Sequence, residues 1–349
     1  MKRFIALTLC LVTVLLMGAC SVPAQSGDAS DTTPATTEAA GIDYDTPLCD
    51  GKTLKLLVIS SSFGLNTTNF LYEVAKDQGC TNIVIGRLFQ AECTLKMHVQ
   101  NAERNAMVYR YYKKNSDADW TIMENIPMEY GIKDEEWDII FLQHSAEGGA
   151  QSQTYGDYIP RLMTYVDGLK TNPKARYVWN MTWAFPQDSH AVSFVALGSD
   201  QMKHYEAIVN ATKEHVVPVK EFVDIIPSGT AVQNVRTSYI GDTLNRDSMH
   251  LNELGYVIAG CMVYATLTRK PIEKLDISTF SSTLTVTDAQ KAVILEAVNN
   301  ALQTPFEVTQ STYTERPADS SSVTADDVDA PEETEPVETE PEVQATDAA

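Results

Sequence analysis

Three consecutive serines, Ser60–Ser62, follow directly on an apolar run near the start of the chain. The run Leu54–Ile59 is rich in Leu, Val and Ile. An apolar run of this composition predicts a strand buried on both faces of a parallel sheet. A helical pattern follows over 67–75, with Thr67 or Thr68 as the expected N-cap. A hydroxyl on the turn between them would lie at the carboxyl edge of the sheet, where open α/β sheets bind ligands.

A base and its orienting carboxylate stand near the other end of the folded part, in Asp247-Ser248-Met249-His250. An Asp three residues before a His on one turn can accept a hydrogen bond from Nδ1 and leave Nε2 to face a hydroxyl. Asp-x-x-His is common by chance, but here it directly precedes a closing helix in a domain that begins with strand, serine and helix. The combination predicts nucleophilic catalysis of acyl transfer.

The charge is concentrated at the two ends of the chain. The formal net charge is −21. Eleven acidic residues lie from Pro317 onward and five more between Ser21 and Leu48, and neither stretch holds a Lys or Arg. With these and the basic pair Lys2–Arg3 set apart, residues 49–316 carry only −7. Nucleic-acid binding needs a basic surface, so the composition argues against it.

The first twenty residues have the pattern of an export signal. Lys2 and Arg3 precede an apolar run over 4–17, and small residues lead to Cys20. A basic start, a short apolar stretch and small residues before a cleavage point describe a secretory signal peptide. A Cys at that point resembles a bacterial lipobox, with Met17 where Leu is usual, and implies a lipid anchor on Cys20 at the bacterial cell surface. An ordinary signal peptide is the alternative.

The other cysteines leave their pairing open. No CxxC pair occurs, which argues against a zinc or iron–sulfur site, and we expect neither a metal nor an organic cofactor. Four thiols in an exported domain allow three pairings, and buried free thiols are an equal alternative. These four are Cys49, Cys80, Cys93 and Cys261.

Composition divides the chain into four parts. Residues 1–20 are the predicted signal peptide, and residues 21–48 are too polar to pack and predict a disordered tether. Residues 311–349 hold a near-repeat of Glu, Thr and Pro and predict a solvated, disordered tail. The folded domain is expected over 49–310.

Strand and helix patterns alternate within that domain. Five apolar runs predict strands, around 54–59, 81–89, 137–142, 175–183 and 222–226. Helical patterns cover 95–102, 158–169, 202–215, 251–267 and 289–302. Residues 107–123 alternate like a hairpin, which we place as an insertion or at the sheet edge. Repeated β–α units predict an α/β fold with three α/β/α layers and a mostly parallel five-stranded sheet.

Several segments resemble the SGNH (GDSL-like) hydrolases, and more closely the bacterial family of unknown function DUF4886. The resemblance covers about 54–270 and rests on the segments 60–63, 92–95 with His98, 137–143, 182–186, 227–231 and 247–255. It implies a flavodoxin-like SGNH hydrolase fold. It also implies that Ser62, the serine directly before Phe63, is the nucleophile of a triad with Asp247 and His250.

The same resemblance implies an oxyanion hole. Its donors would be the backbone N–H groups of Ser62 and Glu92, together with the side-chain amide of Gln143, where better-known relatives use Asn. The family commonly has Gly where Glu92 stands, and a carboxylate beside a developing oxyanion is repulsive unless it points away. Trp183, near the carboxyl edge of the fourth predicted strand, is a candidate for lining a sugar-binding cleft.

The expected function is therefore that of an extracellular serine esterase without a cofactor. By analogy with the family alone, its substrate is an acylated carbohydrate or another short-chain ester, and acyl transfer to a sugar would use the same triad. The alternative is a non-catalytic surface lipoprotein that binds a glycan or a protein partner on a hydrolase scaffold. The resembling family usually has Gly-Asn before the nucleophilic serine, where this chain has Ser60 and Ser61. The substituted positions Ser60 and Glu92 favour that alternative.

Overall fold

The computed structural model describes residues 47–317, so the predicted signal peptide and Cys20 lie outside it, as do most of the tether and the tail. The strands in this part of the chain are β1 (Thr53–Ser60), β2 (Asn82–Phe89), β3 (Tyr109–Lys114), β4 (Thr121–Ile126), β5 (Ile139–Leu142), β6 (Arg176–Asn180) and β7 (Phe222–Ile226). The helices are α1 (Ser62–Thr68), α2 (Leu71–Asp77), α3 (Leu95–Glu103), α4 (Met128–Lys133), α5 (Tyr158–Asp167), α6 (Val192–Ala196), α7 (Gln201–His215), α8 (Ser228–Arg236), α9 (Glu253–Thr268) and α10 (Asp288–Gln303). A 3-10 turn covers Ser152–Thr154.

All the strands form one sheet in the order β4-β3-β2-β1-β5-β6-β7. The five strands from β2 to β7 in this order are parallel, which confirms the predicted α/β class. The strand number of five was wrong, because the predicted hairpin adds β3 and β4 to the edge of the sheet in antiparallel pairing. Tyr109 and Tyr111 of β3 are buried and extend the apolar layer, so the hairpin belongs to the sheet.

Strand β1 lies at the centre of the sheet and separates two apolar cores. Leu56 and Val58 face a core formed by α1, α2, α8, α9 and α10. Leu57 and Ile59 face a second core under α3, α4, α5 and α7. Because successive side chains of a strand point to opposite faces, burial on both sides requires an unbroken apolar run. This is the physical reason that the run was recognisable in the sequence.

Helix α9 is apolar on nearly all sides and packs against α1, α2, α8 and α10. Despite that composition, no helix within residues 47–317 has the length and hydropathy needed to cross a membrane. Asn252 caps α9 by accepting a hydrogen bond from the Gly255 amide at 3.1 Å. The loop that holds Asp247 and His250 ends at this cap, so the start of α9 fixes one end of that loop.

The packed domain extends slightly beyond both predicted boundaries. The backbone amide of Leu48 donates to the Leu267 carbonyl at 2.8 Å, and Leu48 is buried. At the other end the Glu296 carboxylate accepts hydrogen bonds from the Ser311 hydroxyl at 2.5 Å and the Thr312 amide at 3.0 Å. These contacts anchor short polar segments that composition alone assigned to the tether and the tail.

Candidate active site

Ser62 is the first residue of α1 and follows the end of β1 after a single extended residue, Ser61. The helix therefore begins five residues earlier than predicted. The prediction of Thr67 or Thr68 as N-cap was wrong, because their hydroxyls donate instead to the carbonyl groups of Phe63 and Gly64 inside the helix, at 2.8 and 2.7 Å. The early start places the Ser62 hydroxyl at the carboxyl edge of the central strand.

Gly64 makes this sharp turn possible. A Cβ atom at Gly64 would lie 1.8 Å from Oγ of Ser60, which leaves no room for a side chain. Ser60 is itself buried and its hydroxyl donates to the Ser61 carbonyl at 3.1 Å. Ser60 is thus accommodated inside the turn by the glycine four residues later.

Ser62, His250 and Asp247 form a continuous line of hydrogen bonds. Oγ of Ser62 lies 2.8 Å from Nε2 of His250. Nδ1 of the same ring lies 2.9 Å from Oδ2 of Asp247 and 3.1 Å from Oδ1. Because an ionised carboxylate only accepts, Nδ1 carries the ring proton and Nε2 presents its lone pair to the serine hydroxyl. This is the geometry of a nucleophile, a general base and an orienting acid.

The Asp247 carboxylate is held in its charged form by its own turn. Partial desolvation raises the pKa of Asp247, but hydrogen bonds from the backbone amides of His250 and Met249 outweigh it, and the His250 ring adds to them, so the pKa lies below its usual value. The two amides donate to Oδ1 at 2.7 and 2.8 Å. The spacing Asp-x-x-His lets one carboxylate bind both the backbone and the ring.

Asn245 braces the loop that holds His250, and no sequence motif had indicated it. Its Nδ2 donates to the carbonyl groups of Met249 at 3.1 Å and His250 at 3.2 Å. Its Oδ1 accepts a hydrogen bond from the Arg236 guanidinium at 2.8 Å. One amide side chain therefore ties the backbone of the base to helix α8.

The Arg236 guanidinium is buried where α8 meets this loop. It also donates to the Ala184 carbonyl at 2.9 Å, and its Nε lies 2.8 Å from Oδ1 of Asp242. Burial lowers the pKa of Arg236 to about 10, and the Asp242 carboxylate opposes that shift, so the group stays charged at neutral pH. The planar fork of an arginine suits these divergent acceptors, which a lysine could not reach together.

Trp183 does not line the cleft, and that prediction was wrong. The residue is fully buried. Its ring stacks on Phe63 with 4.1 Å between centroids, and its indole N–H donates to the Met249 carbonyl at 2.9 Å. The Phe63 ring meets the His250 ring edge-on at 5.6 Å. Trp183 thus supports both the Ser62 turn and the loop that holds His250.

Glu92, a predicted oxyanion donor, lies in the loop between β2 and α3 with an exposed side chain. Its φ of 52° is left-handed, a conformation that favours glycine. The Gly that the family resemblance leads us to expect there would adopt this conformation without strain. A glycine at this position would also remove the exposed carboxylate.

Gln143, the other predicted donor, follows β5 and is almost completely buried. Its Oε1 accepts from Nδ2 of Asn180 at 3.0 Å, while Oδ1 of Asn180 accepts from the Ser228 hydroxyl at 2.7 Å. Asn180 also donates to the Thr67 hydroxyl of α1 at 3.3 Å. Within residues 47–317, Nε2 of Gln143 is covered and has no acceptor. An oxygen atom of a substrate would reach this amide only if the groups that cover it moved.

The part of the chain that the structure describes holds no candidate metal site. Among residues 47–317, no group of three or more His, Cys, Asp or Glu side chains is arranged to hold a metal ion. The three histidines that are almost completely buried, His98, His144 and His204, each lie outside the triad. Nδ1 of His98 pairs with the Tyr109 hydroxyl at 2.9 Å, which places it in the core under α3.

Comparison with known proteins places the chain in a family. A family model described as a domain of unknown function, DUF4886, matches residues 55–294. A crystal structure of a DUF4886 family protein from Bacteroides uniformis is similar over 76% of this chain and 100% of its own, with 31% identity and a TM-score of 0.70. A protein from Slackia heliotrinireducens, described as a proposed SGNH hydrolase, has 17% identity and a TM-score of 0.39 over 62% of this chain and 100% of its own, too low to carry an argument. No curated protein matches the sequence.

Proposed function

The chain belongs to the DUF4886 family, and on that premise we propose that it is a serine hydrolase that cleaves acyl esters outside the cell. The observation that carries the proposal is the 2.8 Å contact between Oγ of Ser62 and Nε2 of His250, with Asp247 on the opposite ring nitrogen. Three polar side chains from two distant parts of the sequence meet in the order that acyl transfer requires.

In the proposed reaction Nε2 of His250 takes the proton of the Ser62 hydroxyl as Oγ attacks the ester carbonyl carbon. Asp247 keeps the imidazole in the required tautomer and stabilises the imidazolium. His250 then gives the proton to the leaving alcohol oxygen, and the C–O bond of the ester breaks to leave an acyl-serine. Water, deprotonated by His250, resolves the acyl-serine and releases the carboxylic acid.

The tetrahedral intermediate needs donors for its negative oxygen. The proposed donors are the backbone N–H groups of Ser62 and Glu92, with the Gln143 amide as a third. Ser62 lies at N1 of α1, where a backbone N–H has no partner within the helix. The left-handed backbone at Glu92, which is the conformation a glycine would adopt there, sets the direction of the Glu92 N–H.

The proposed substrate is an acetyl or other short-chain ester on a carbohydrate, or a small soluble ester. Acyl transfer to a sugar hydroxyl would use the same acyl-serine. A second candidate is binding of a glycan or a protein partner without catalysis. It is favoured by the covered Nε2 of Gln143 and by the carboxylate at Glu92, where the family commonly has Gly.

The test is hydrolysis of p-nitrophenyl acetate by the purified protein, with a fluorophosphonate probe as a second readout. We expect wild type to hydrolyse the ester and to be labelled at Ser62, and Ser62→Ala to lose both properties. Ser61→Ala is the matched control, because Ser61 is a buried neighbour whose hydroxyl has no partner in the described region. Equal rates for wild type and Ser62→Ala, with no labelling, would favour the binding candidate.

The proposed location is the bacterial cell surface, with a lipid on Cys20 as the anchor. The support is the sequence pattern before Cys20, with its basic start and apolar run. Metabolic labelling with a palmitate analogue should mark the full-length protein and leave Cys20→Ser unlabelled. Labelling of Cys20→Ser, or none in either protein, would favour an ordinary signal peptide.

A further inference from the structure

Two of the four cysteines in residues 47–317 lie at the amino edge of neighbouring strands. Cys49 precedes β1 and Cys80 precedes β2, and these parallel strands are in register with Thr53 opposite Asn82. The Lys52 carbonyl accepts from both the Thr81 and Asn82 amides at 2.9 Å, so the two approaching segments are joined directly beside the cysteines. This edge of the sheet is opposite the edge that holds Ser62.

The two thiols are in direct contact. The Cys80 side chain hydrogen-bonds to the Cys49 sulfur, which also accepts from the Gly51 amide at 3.3 Å and donates to the Thr53 carbonyl at 2.7 Å. Both side chains are buried as free thiols. The contact with Cys80 is the main reason that the pKa of Cys49 lies below its usual value, so Cys49 is the better nucleophile of the pair.

The other two cysteines have different surroundings. Cys93 contacts the side-chain amides of Gln90 at 3.2 Å and Asn101 at 3.9 Å, at the opposite edge of the sheet. Cys261 lies in the middle of α9 and is fully buried in the apolar core. The sequence allowed three pairings of four thiols, and only one of them joins side chains that already touch.

We propose that Cys49 and Cys80 are a disulfide-forming pair, which closes a covalent loop around β1, α1 and α2 when the chain folds in an oxidising compartment. Export, as the start of the sequence suggests, would bring the chain into such a compartment. The loop contains the Ser62 turn. The proposal does not depend on the hydrolase function, because it concerns the far edge of the sheet.

The chemistry is thiol–disulfide exchange with a small-molecule disulfide. The Cys49 thiolate attacks one sulfur of that molecule, breaks its S–S bond and expels a thiolate, which leaves a mixed disulfide on Cys49. The Cys80 thiolate then attacks the Cys49 sulfur and expels the second small thiolate. The two cysteines lose two electrons and two protons in all, and the small disulfide gains them and becomes two thiols.

The experiment refolds the reduced full-length chain in a mixture of reduced and oxidised glutathione. Free thiols are then blocked with N-ethylmaleimide under denaturing conditions, and the peptides are mapped by mass spectrometry without reduction. We expect one peptide pair that links Cys49 to Cys80, with Cys93 and Cys261 alkylated. We expect the midpoint of thermal unfolding to be about 5–10 °C higher for the oxidised than for the reduced protein.

The matched variants are Cys80→Ser and Cys93→Ser, each of which removes one buried thiol. The difference in midpoint between oxidised and reduced protein should disappear in the first and persist in the second. Alkylation of all four thiols in the refolded wild type, or a linked peptide that contains Cys93 or Cys261, would overturn the proposal. The peptide map of the wild type decides the question even if a variant fails to fold. Esterase activity of the reduced and oxidised proteins should be alike.

Discussion

Asn245→Ala should separate the positioning of the base from the chemistry of the triad. The substitution removes two hydrogen bonds to the carbonyl groups of Met249 and His250 and one from the Arg236 guanidinium. It leaves Ser62, His250 and Asp247 in place. The loop would keep its Asp247 turn but lose the tie to α8 that Asn245 provides, and His250 would sample positions further from the serine hydroxyl.

The size of the effect follows from these three contacts. A neutral hydrogen bond contributes about 1 kcal/mol and one to a charged group about 1.5–3 kcal/mol, so we expect a loss of about 3.5–5 kcal/mol in the free energy of unfolding. A displacement of about 1 Å in a reacting group lowers rates about 100-fold. We therefore expect kcat for p-nitrophenyl acetate to fall about 10- to 100-fold with little change in KM, and labelling by fluorophosphonate to slow in parallel.

The control is Asn299→Ala, which removes a comparable brace. The Asn299 amide donates to the Ile272 carbonyl at 3.0 Å and accepts from the Ile272 amide at 3.0 Å, in a loop that holds no member of the triad. We expect that variant to be less stable with an unchanged kcat. If Asn245→Ala keeps the wild-type kcat while its stability falls like that of Asn299→Ala, the assignment of Asn245 as a positioning residue is refuted.

Three further outcomes can be measured. Glu92→Gly should raise kcat, because it removes the carboxylate beside the proposed oxyanion. The free energy of unfolding should stay within about 1 kcal/mol of wild type, because relief of the left-handed strain and the added freedom of glycine in the unfolded chain nearly cancel. A fall in kcat contradicts this prediction. Trp183→Phe keeps the stack on Phe63 but loses the hydrogen bond to the loop, so kcat/KM should fall about 3- to 10-fold, and an unchanged value in the ester assay would count against that role. Burial lowers the pKa of His98 to about 3 and those of His144 and His204 to about 4, all from 6.5. The unfolded chain then binds more protons than the folded chain below pH 6.5. The free energy of unfolding should therefore decrease as the pH falls from 6.5 to about 4. Equal values from urea titrations at pH 7.5 and pH 5 would contradict this prediction.

The sequence predicted the elements whose burial leaves a one-dimensional pattern. Strand β5 and residues Leu56–Ile59 of β1 are buried on both faces, so each reads as an unbroken apolar run. Helix α8 was missed, because its residues Ser228–Arg236 are all buried yet include Ser, Thr, Gln, Asn and Arg. Its polar groups are satisfied by tertiary contacts, such as the Thr230 hydroxyl with the Pro305 carbonyl at 2.6 Å, and such contacts leave no periodicity in the chain.

Only the parts of the candidate site that belong to sequence motifs could be predicted. Asp-x-x-His encodes a local turn, and the structure places its ring against the Ser62 hydroxyl. The hydrogen bonds of Asn245 and Arg236 join a helix to a loop through tertiary contacts, so no residue spacing in the sequence indicates them. Trp183 was misplaced because an aromatic residue near a strand end is compatible with either the cleft or the layer beneath it. Only the position of the Phe63 ring decides between the two.

Ser62 and His250 are 188 residues apart, and this separation has a consequence for when the proposed active site can form. A contact of such long range forms only after the intervening strands and helices have packed, since closing a long loop costs entropy that those contacts must offset. A chain that is still being synthesised holds Ser62 as an ordinary alcohol, because Asp247 and His250 have not yet emerged. The order of residues along the chain therefore delays assembly of the proposed active site until almost the whole domain has been made.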